Sequence, residues 1–116
     1  MPNWVTNDLE IHGEPADIKN FLEHMGTEND GFSFEKIIPS PCKEWNRQWC
    51  VDNWDTKWDA CEVETIQASH VAVSYRFFTA WSPPEKVITA LKTQWPSLNV
   101  SGSYVCEGNE FCGRFE

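Results

Sequence analysis

No run of apolar residues in this chain exceeds a few positions, Val71-Ala72-Val73 being typical, so the roughly 20 consecutive apolar residues of a membrane-crossing helix are absent. The opening Met1-Pro2-Asn3-Trp4 has no basic start and no apolar stretch behind it, so no secretion signal is read and a cytoplasmic location is expected. Basic residues are scarce: nine Lys and Arg stand against eighteen Asp and Glu, a formal charge of −9. That balance repels a phosphate backbone, which excludes direct nucleic-acid binding as an expectation and favours a basic partner. Metal-ligand spacing is missing too. Cys42 and Cys50 are eight apart, Cys106 and Cys112 six apart, and His12, His24 and His70 fall on separate elements, so no metal is expected. The five cysteines cannot all pair within one chain and are read as free thiols, mostly small buried hydrophobes. There is no GxGxxG, P-loop, HExxH or serine nucleophile elbow, so neither an enzyme nor a cofactor is expected.

What is present is a core. Hydrophobic residues make up 41% and aromatics 14% of 116 residues, enough for one domain spanning 1–116. Residues 3–12 alternate, with Val5, Asn7, Leu9 and Ile11 on one face and Trp4, Thr6, Asp8, Glu10 and His12 on the other, the signature of a half-buried first strand. Pro15 then opens a helix on Ile18, Phe21, Leu22 and Met25 that Gly26 stops. Residues 32–38, before Pro39-Ser40-Pro41, read as a tethered loop or a short edge strand. Next comes a tryptophan-rich insertion, about 27–59 in all. A short helix over 43–52 would put Trp45 and Trp49 on one stripe.

Residues 60–68 and 69–79 read as a hairpin, Cys61, Val63 and Thr65 facing one way and Glu62 and Glu64 the other. Ser82-Pro83-Pro84-Glu85 supplies an N-cap and first turn for a second main helix on Val87, Ile88, Leu91 and Trp95, which Pro96 ends. Alternation resumes over 98–106 as a fourth strand. The fold class expected is therefore α+β, a ferredoxin-like βαββαβ unit whose four-stranded antiparallel sheet runs in the order 4-1-3-2 with two helices on one face. The other face would carry Asp8, Glu10, Glu62 and Glu64, with Trp4 and Phe78 its large aromatics. RNA-recognition domains of similar topology stack bases there, but these carboxylates oppose that use.

Two sets of residues stand out as candidate sites. Asn53, Trp54, Thr56, Lys57, Trp58 and Asp59, with Trp81 and Ser82, concentrate indoles and polar groups beyond what packing demands, although a second small core would use tryptophans in the same way. Asp8, Glu10, Glu62 and Glu64 form an acidic face for a partner. Asp52, Asp55 and Asp59 could pair as acid and base but equally cap helices and brace turns. Spacing alone leaves Cys61 near His70 open across the hairpin.

At Met1-Pro2-Asn3-Trp4 with Asn7 and Leu9, Phe32-Ser33-Phe34, Ile38-Pro39-Ser40-Pro41, Asn53 to Ala60, Thr79-Ala80-Trp81-Ser82-Pro83-Pro84, and Phe111 with Gly113, the chain resembles the YubB-like family of small phage- and plasmid-borne proteins. That family usually has Cys at the position of Val5 and Gly at that of Asp55. The resemblance implies a ferredoxin-like domain from a mobile element in a bacterial host cell, and no activity. The leading expectation is an accessory protein that binds and inhibits a basic host protein, of defence or nucleic-acid processing, through its acidic face. The alternative is a protein that sequesters a small ligand or nucleotide, with Lys57 meeting an anion and an indole stacking on a ring.

Overall fold

The computed structural model describes residues 4–106 and 112–115. Asn3, the first residue of the expected opening strand, and Met1, Pro2 and Phe111, which carry part of the resemblance, lie outside the described residues.

Strict alternation makes β1 (Trp4–His12) the frame: Val5, Asn7, Leu9 and Ile11 are fully buried, and the residues between them face the other side. In α1 (Pro15–Met25) proline sits in the first turn, Ile18, Phe21 and Met25 turn inward, and Gly26 takes φ 64° where the helix stops. The following segment is a loop, not an edge strand. Phe32 and Phe34 are wholly buried in it, and a 3-10 turn at Phe34–Lys36 starts where the Ser33 hydroxyl accepts the Glu35 N–H.

The helix expected over 43–52 begins later. Asn46 caps α2 (Arg47–Trp54) by accepting the Trp49 N–H at 2.9 Å, which leaves Trp45 outside the helix, where its indole donates to the Lys57 carbonyl at 2.9 Å. The expected Trp45–Trp49 stripe is thus replaced by an edge-on pair of Trp49 and Trp54, 5.3 Å apart. After β2 (Cys61–Ala68) and β3 (Ala72–Ala80) comes α3 (Glu85–Gln94). Pro84, not Ser82, holds its N-cap position, and the Lys86 N–H is accepted by the Asp55 carboxylate at 2.9 Å. β4 (Asn99–Cys106) and β5 (Cys112–Phe115) complete the chain.

All pairings are antiparallel, in the order β2-β3-β1-β4-β5. The expected four-strand order 4-1-3-2 is corrected by β5, which adds itself beyond β4 and makes it 5-4-1-3-2. Glycine at 113 permits this. It pairs with Tyr104, and a Cβ there would run into the Tyr104 ring, which packs 5.2 Å from Phe115. Three helices rather than two share one side of the sheet: Phe21 of α1, Trp54 of α2 and Leu91 of α3 join Leu9, Val73, Phe77 and Val100 in one core. Among the described residues no helix lies on the opposite side.

β2 is a sheet edge with two irregularities in register. Cys61 pairs with Phe78 but Glu64 pairs with Arg76, so an extra residue lies between, and Glu62 takes φ 49°. Period-two reading had put Cys61 on the face of Val63. The bulge turns it to the open face beside Phe78.

Candidate functional site

The run Trp54-Asp55-Thr56-Lys57-Trp58-Asp59-Ala60 carries α2 into β2, and most of it is scaffold. Trp54 is buried, edge-on to Phe34, and its indole donates to the Ile38 carbonyl at 3.0 Å. Thr56 is buried and donates to the Trp58 carbonyl at 2.6 Å; Asn53 donates to the Trp49 carbonyl at 2.9 Å. Asp55 takes the left-handed conformation at the α2 C-terminus, φ 65°, the place where glycine is favoured and Asp is tolerated. Its carbonyl accepts the Ser82 hydroxyl, and its carboxylate lies 3.7 Å from Lys86 Nζ. Asp59 accepts three hydrogen bonds: the Ser33 hydroxyl at 2.6 Å and the Phe34 and Ala60 N–H groups, both at 2.7 Å. Burial raises its carboxyl above the ordinary range, and those donors oppose the rise without cancelling it. Asp52 accepts from Gln48 at 2.9 Å, so Asp52, Asp55 and Asp59 serve three separate partners rather than one acid–base pair.

The expected indole pocket therefore divides. Trp54, Thr56 and Asp59 face inward, Ser82 ties a turn to Asp55, and Trp81 is exposed in that turn with φ 73°. Only Lys57 and Trp58 reach the helix-free face. There Trp58 lies 6.0 Å from Trp4 at an interplanar angle of 30°, and Trp4 lies 6.5 Å from Phe78 at 55°. Trp4, Thr6, Cys61, Glu62 and Phe78 line a recess of about 550 Å³, within the size of small-ligand sites. Trp58 packs against Trp4 beside it. Three strands build it: β1 gives Trp4 and Thr6, β3 gives Phe78, and the bulge of β2 swings Cys61 and Glu62 into place. The alternation of β1 and β3 placed Trp4 and Phe78 on this face, but nothing local in the sequence announced the bulge or the approach of Trp58.

Lys57 Nζ stands 4.7 Å over the Trp58 ring, a cation–π contact. The Cys61 thiol is pushed up by burial and then by the charges of Asp59 and Glu62, which keeps it protonated at neutral pH. It donates toward the Asp59 carbonyl at 3.4 Å. Cys61 begins β2 and His70 lies in the turn past its other end, so roughly 25 Å of strand, at about 3.3 Å per residue, separates this thiol from that base. The expected possibility of a Cys61–His70 pair is thereby removed. Among the described residues no three His, Cys, Asp or Glu side chains gather as a metal site would need, and no helix is long and apolar enough to cross a membrane.

The acidic face mixes charges. Asp8 and Glu10 lie on it with Glu64, and Glu62 stands at the rim of the recess. Arg76 sits between Asp8, bound at 2.8 Å, and Glu64, its register partner; both raise the guanidinium pKa, the hydrogen bond to Asp8 most. Arg114 follows at the register of Ser103, which pairs with Asp8.

A comparison with curated proteins and one with solved structures returned no match. The family model described as the ferredoxin-like domain in Api92-like protein matches residues 44–116. The matched range holds Trp58, Cys61, Glu62 and Phe78 of the recess and leaves out Trp4 and Thr6, together with all of β1 and α1.

Proposed function

This chain belongs to the family of the ferredoxin-like domain in Api92-like proteins, and on that premise we propose that it is a binding protein rather than an enzyme, taking a small ligand in the aromatic recess of its helix-free sheet face. The observation that carries this reading is that Trp4 and Phe78, with Trp58 packed against Trp4, face an open recess instead of the core. A surface that leaves indole faces open retains binding energy for something flat or weakly hydrated. Trp4 lines the recess and Trp58 packs against it, so occupancy reports itself. Titration with a panel of ring-bearing and alkylammonium compounds shifts the emission maximum, and Trp4→Leu and Phe78→Leu, which keep the apolar bulk, each lower the affinity at least tenfold. Unchanged affinity in both variants would dispose of the recess as the site.

A second reading is supported by the carboxylates Asp8, Glu10, Glu62 and Glu64 on that same face and by the net charge of −9. In it the protein is a YubB-like accessory factor of a phage or plasmid that occupies a basic groove on a host defence or nucleic-acid-processing protein in the cytoplasm. Arg76 and Arg114 would then sit inside the interface and fix its register. Glu10→Lys with Glu64→Lys abolishes capture of such a partner from host lysate; a partner captured equally well by the double variant excludes this face.

A further inference from the structure

Resting on the reading of the recess as a ligand site, we infer that its ligand carries a methylated ammonium group: Trp4 and Phe78 present two aromatic walls to a cation, Trp58 packs against Trp4, and Glu62 at the rim supplies the counter-charge. Trp4 and Phe78 both line the recess, 6.5 Å apart and inclined at 55°, while Trp58 lies 6.0 Å from Trp4 at 30° and braces it. Each ring face is the negative end of a quadrupole and attracts a cation held against it. The five residues that line the recess include a carboxylate and no basic side chain. Cys61 adds no positive charge and its thiol stays neutral.

Two basic residues of this side, Arg76 and Lys57, are already engaged. Arg76 is held by Asp8 at 2.8 Å, and Lys57 places its ammonium 4.7 Å over the Trp58 ring. Lys57 thus shows within the molecule that an indole beside the recess accepts a cation on its face. A phosphate-bearing nucleotide would meet Glu62 at the rim of a protein with eighteen acidic and nine basic residues. A quaternary ammonium is weakly hydrated, loses little on entering an apolar recess, and gains from both the rings and the carboxylate.

The test compares choline with 3,3-dimethylbutan-1-ol, its uncharged isostere, by tryptophan emission and by ligand-observed NMR on the whole protein. Choline is expected to bind at least tenfold tighter than the alcohol. Glu62→Gln, an exposed position, lowers choline affinity several-fold and leaves the alcohol unchanged, while Lys57→Ala leaves choline affinity the same or higher. N-acetyl-trimethyllysine amide separates the sources: a tenfold preference for it over choline assigns a modified side chain, and the reverse assigns a free small molecule. If the alcohol or adenosine monophosphate matches choline, or if Lys57→Ala abolishes binding, the cation inference falls while the recess remains a site. If no probe changes either signal, both readings fall together.

Discussion

Asp59 decides whether the junction between the insertion and β2 is scaffold or site, and its hydrogen bonds allow the cost of removing it to be worked out. Oδ1 accepts two backbone N–H groups, those of Phe34 and Ala60, and Oδ2 accepts the Ser33 hydroxyl. Phe34 and Ala60 are 0 and 3% exposed, so Asp59→Ala leaves two buried donors without partners. At about 1–3 kcal/mol per orphaned donor, less what water entering the vacated space restores, the expected loss is about 2–4 kcal/mol. Asp59→Asn behaves differently. Its carbonyl can serve both N–H groups while its amide donates to Ser33 Oγ, so stability should stay within about 1 kcal/mol of the parent. The pH dependence carries a sign. Folding raises this carboxyl above the 3.8 it has when free, so the folded state holds the proton more tightly than the unfolded one. The group's contribution to stability is therefore full below pH 3.8 and is lost as pH rises through the folded value, above which it stays constant. Asn has no such proton, so the Asn variant gains on the parent as pH climbs through that window. Urea unfolding followed by tryptophan emission from pH 3 to pH 7 measures all three curves. If Asn destabilises as much as Ala at every pH, the ionised charge itself is required and the reasoning from neutral hydrogen bonds is refuted.

Asp55→Gly should move the urea midpoint little, because relief of the left-handed backbone, worth about 1 kcal/mol, offsets loss of the bond to the Lys86 N–H, also about 1 kcal/mol, whereas Asp55→Ala loses the bond without that relief and falls by about 1 kcal/mol. Asn7 is wholly buried and its amide donates toward the Val5 and Phe77 carbonyls and Thr79 Oγ1, so the isosteric Asn7→Asp sets a carboxylate against three acceptors and should cost more than about 3 kcal/mol by the same measurement. Timed alkylation should modify exposed Cys112 first, Cys61 slowly because its thiol is held protonated, and buried Cys50 and Cys106 only on unfolding; peptide mapping that finds Cys61 ahead of Cys112 would overturn the assignment of Cys61 as inert.

The regular elements were legible because their burial repeats along the chain. The phase of Val5, Asn7, Leu9 and Ile11 and the spacing of Ile18, Phe21 and Met25 are local patterns, and the structure keeps them. β5 was not legible. Four residues, Cys-Gly-Arg-Phe, hold too little alternation to mark a strand, and its pairing depends on Tyr104 packing across Gly113. The recess was half legible. Trp4 and Phe78 follow from strand phase, but one extra residue at Glu62 reverses the parity of Cys61, and Trp58 reaches Trp4 only through tertiary approach. Trp54 and Asp59 misled for the opposite reason: each is polar or amphipathic in composition, and each meets its polar needs inside the fold, at Ile38, Ser33 and Phe34.

The central position of β1 bears on how the chain is born. Its neighbours are made much later, β3 only after α1 and α2 and β4 only after α3, so the first strand emerges from the ribosome with both edges unsatisfied and Val5, Leu9 and Ile11 bare. At about 5–20 residues per second that wait is on the order of ten seconds, and no local contact can shorten it. Translation speed and chaperone supply should thus govern the yield of this protein more than its final stability does.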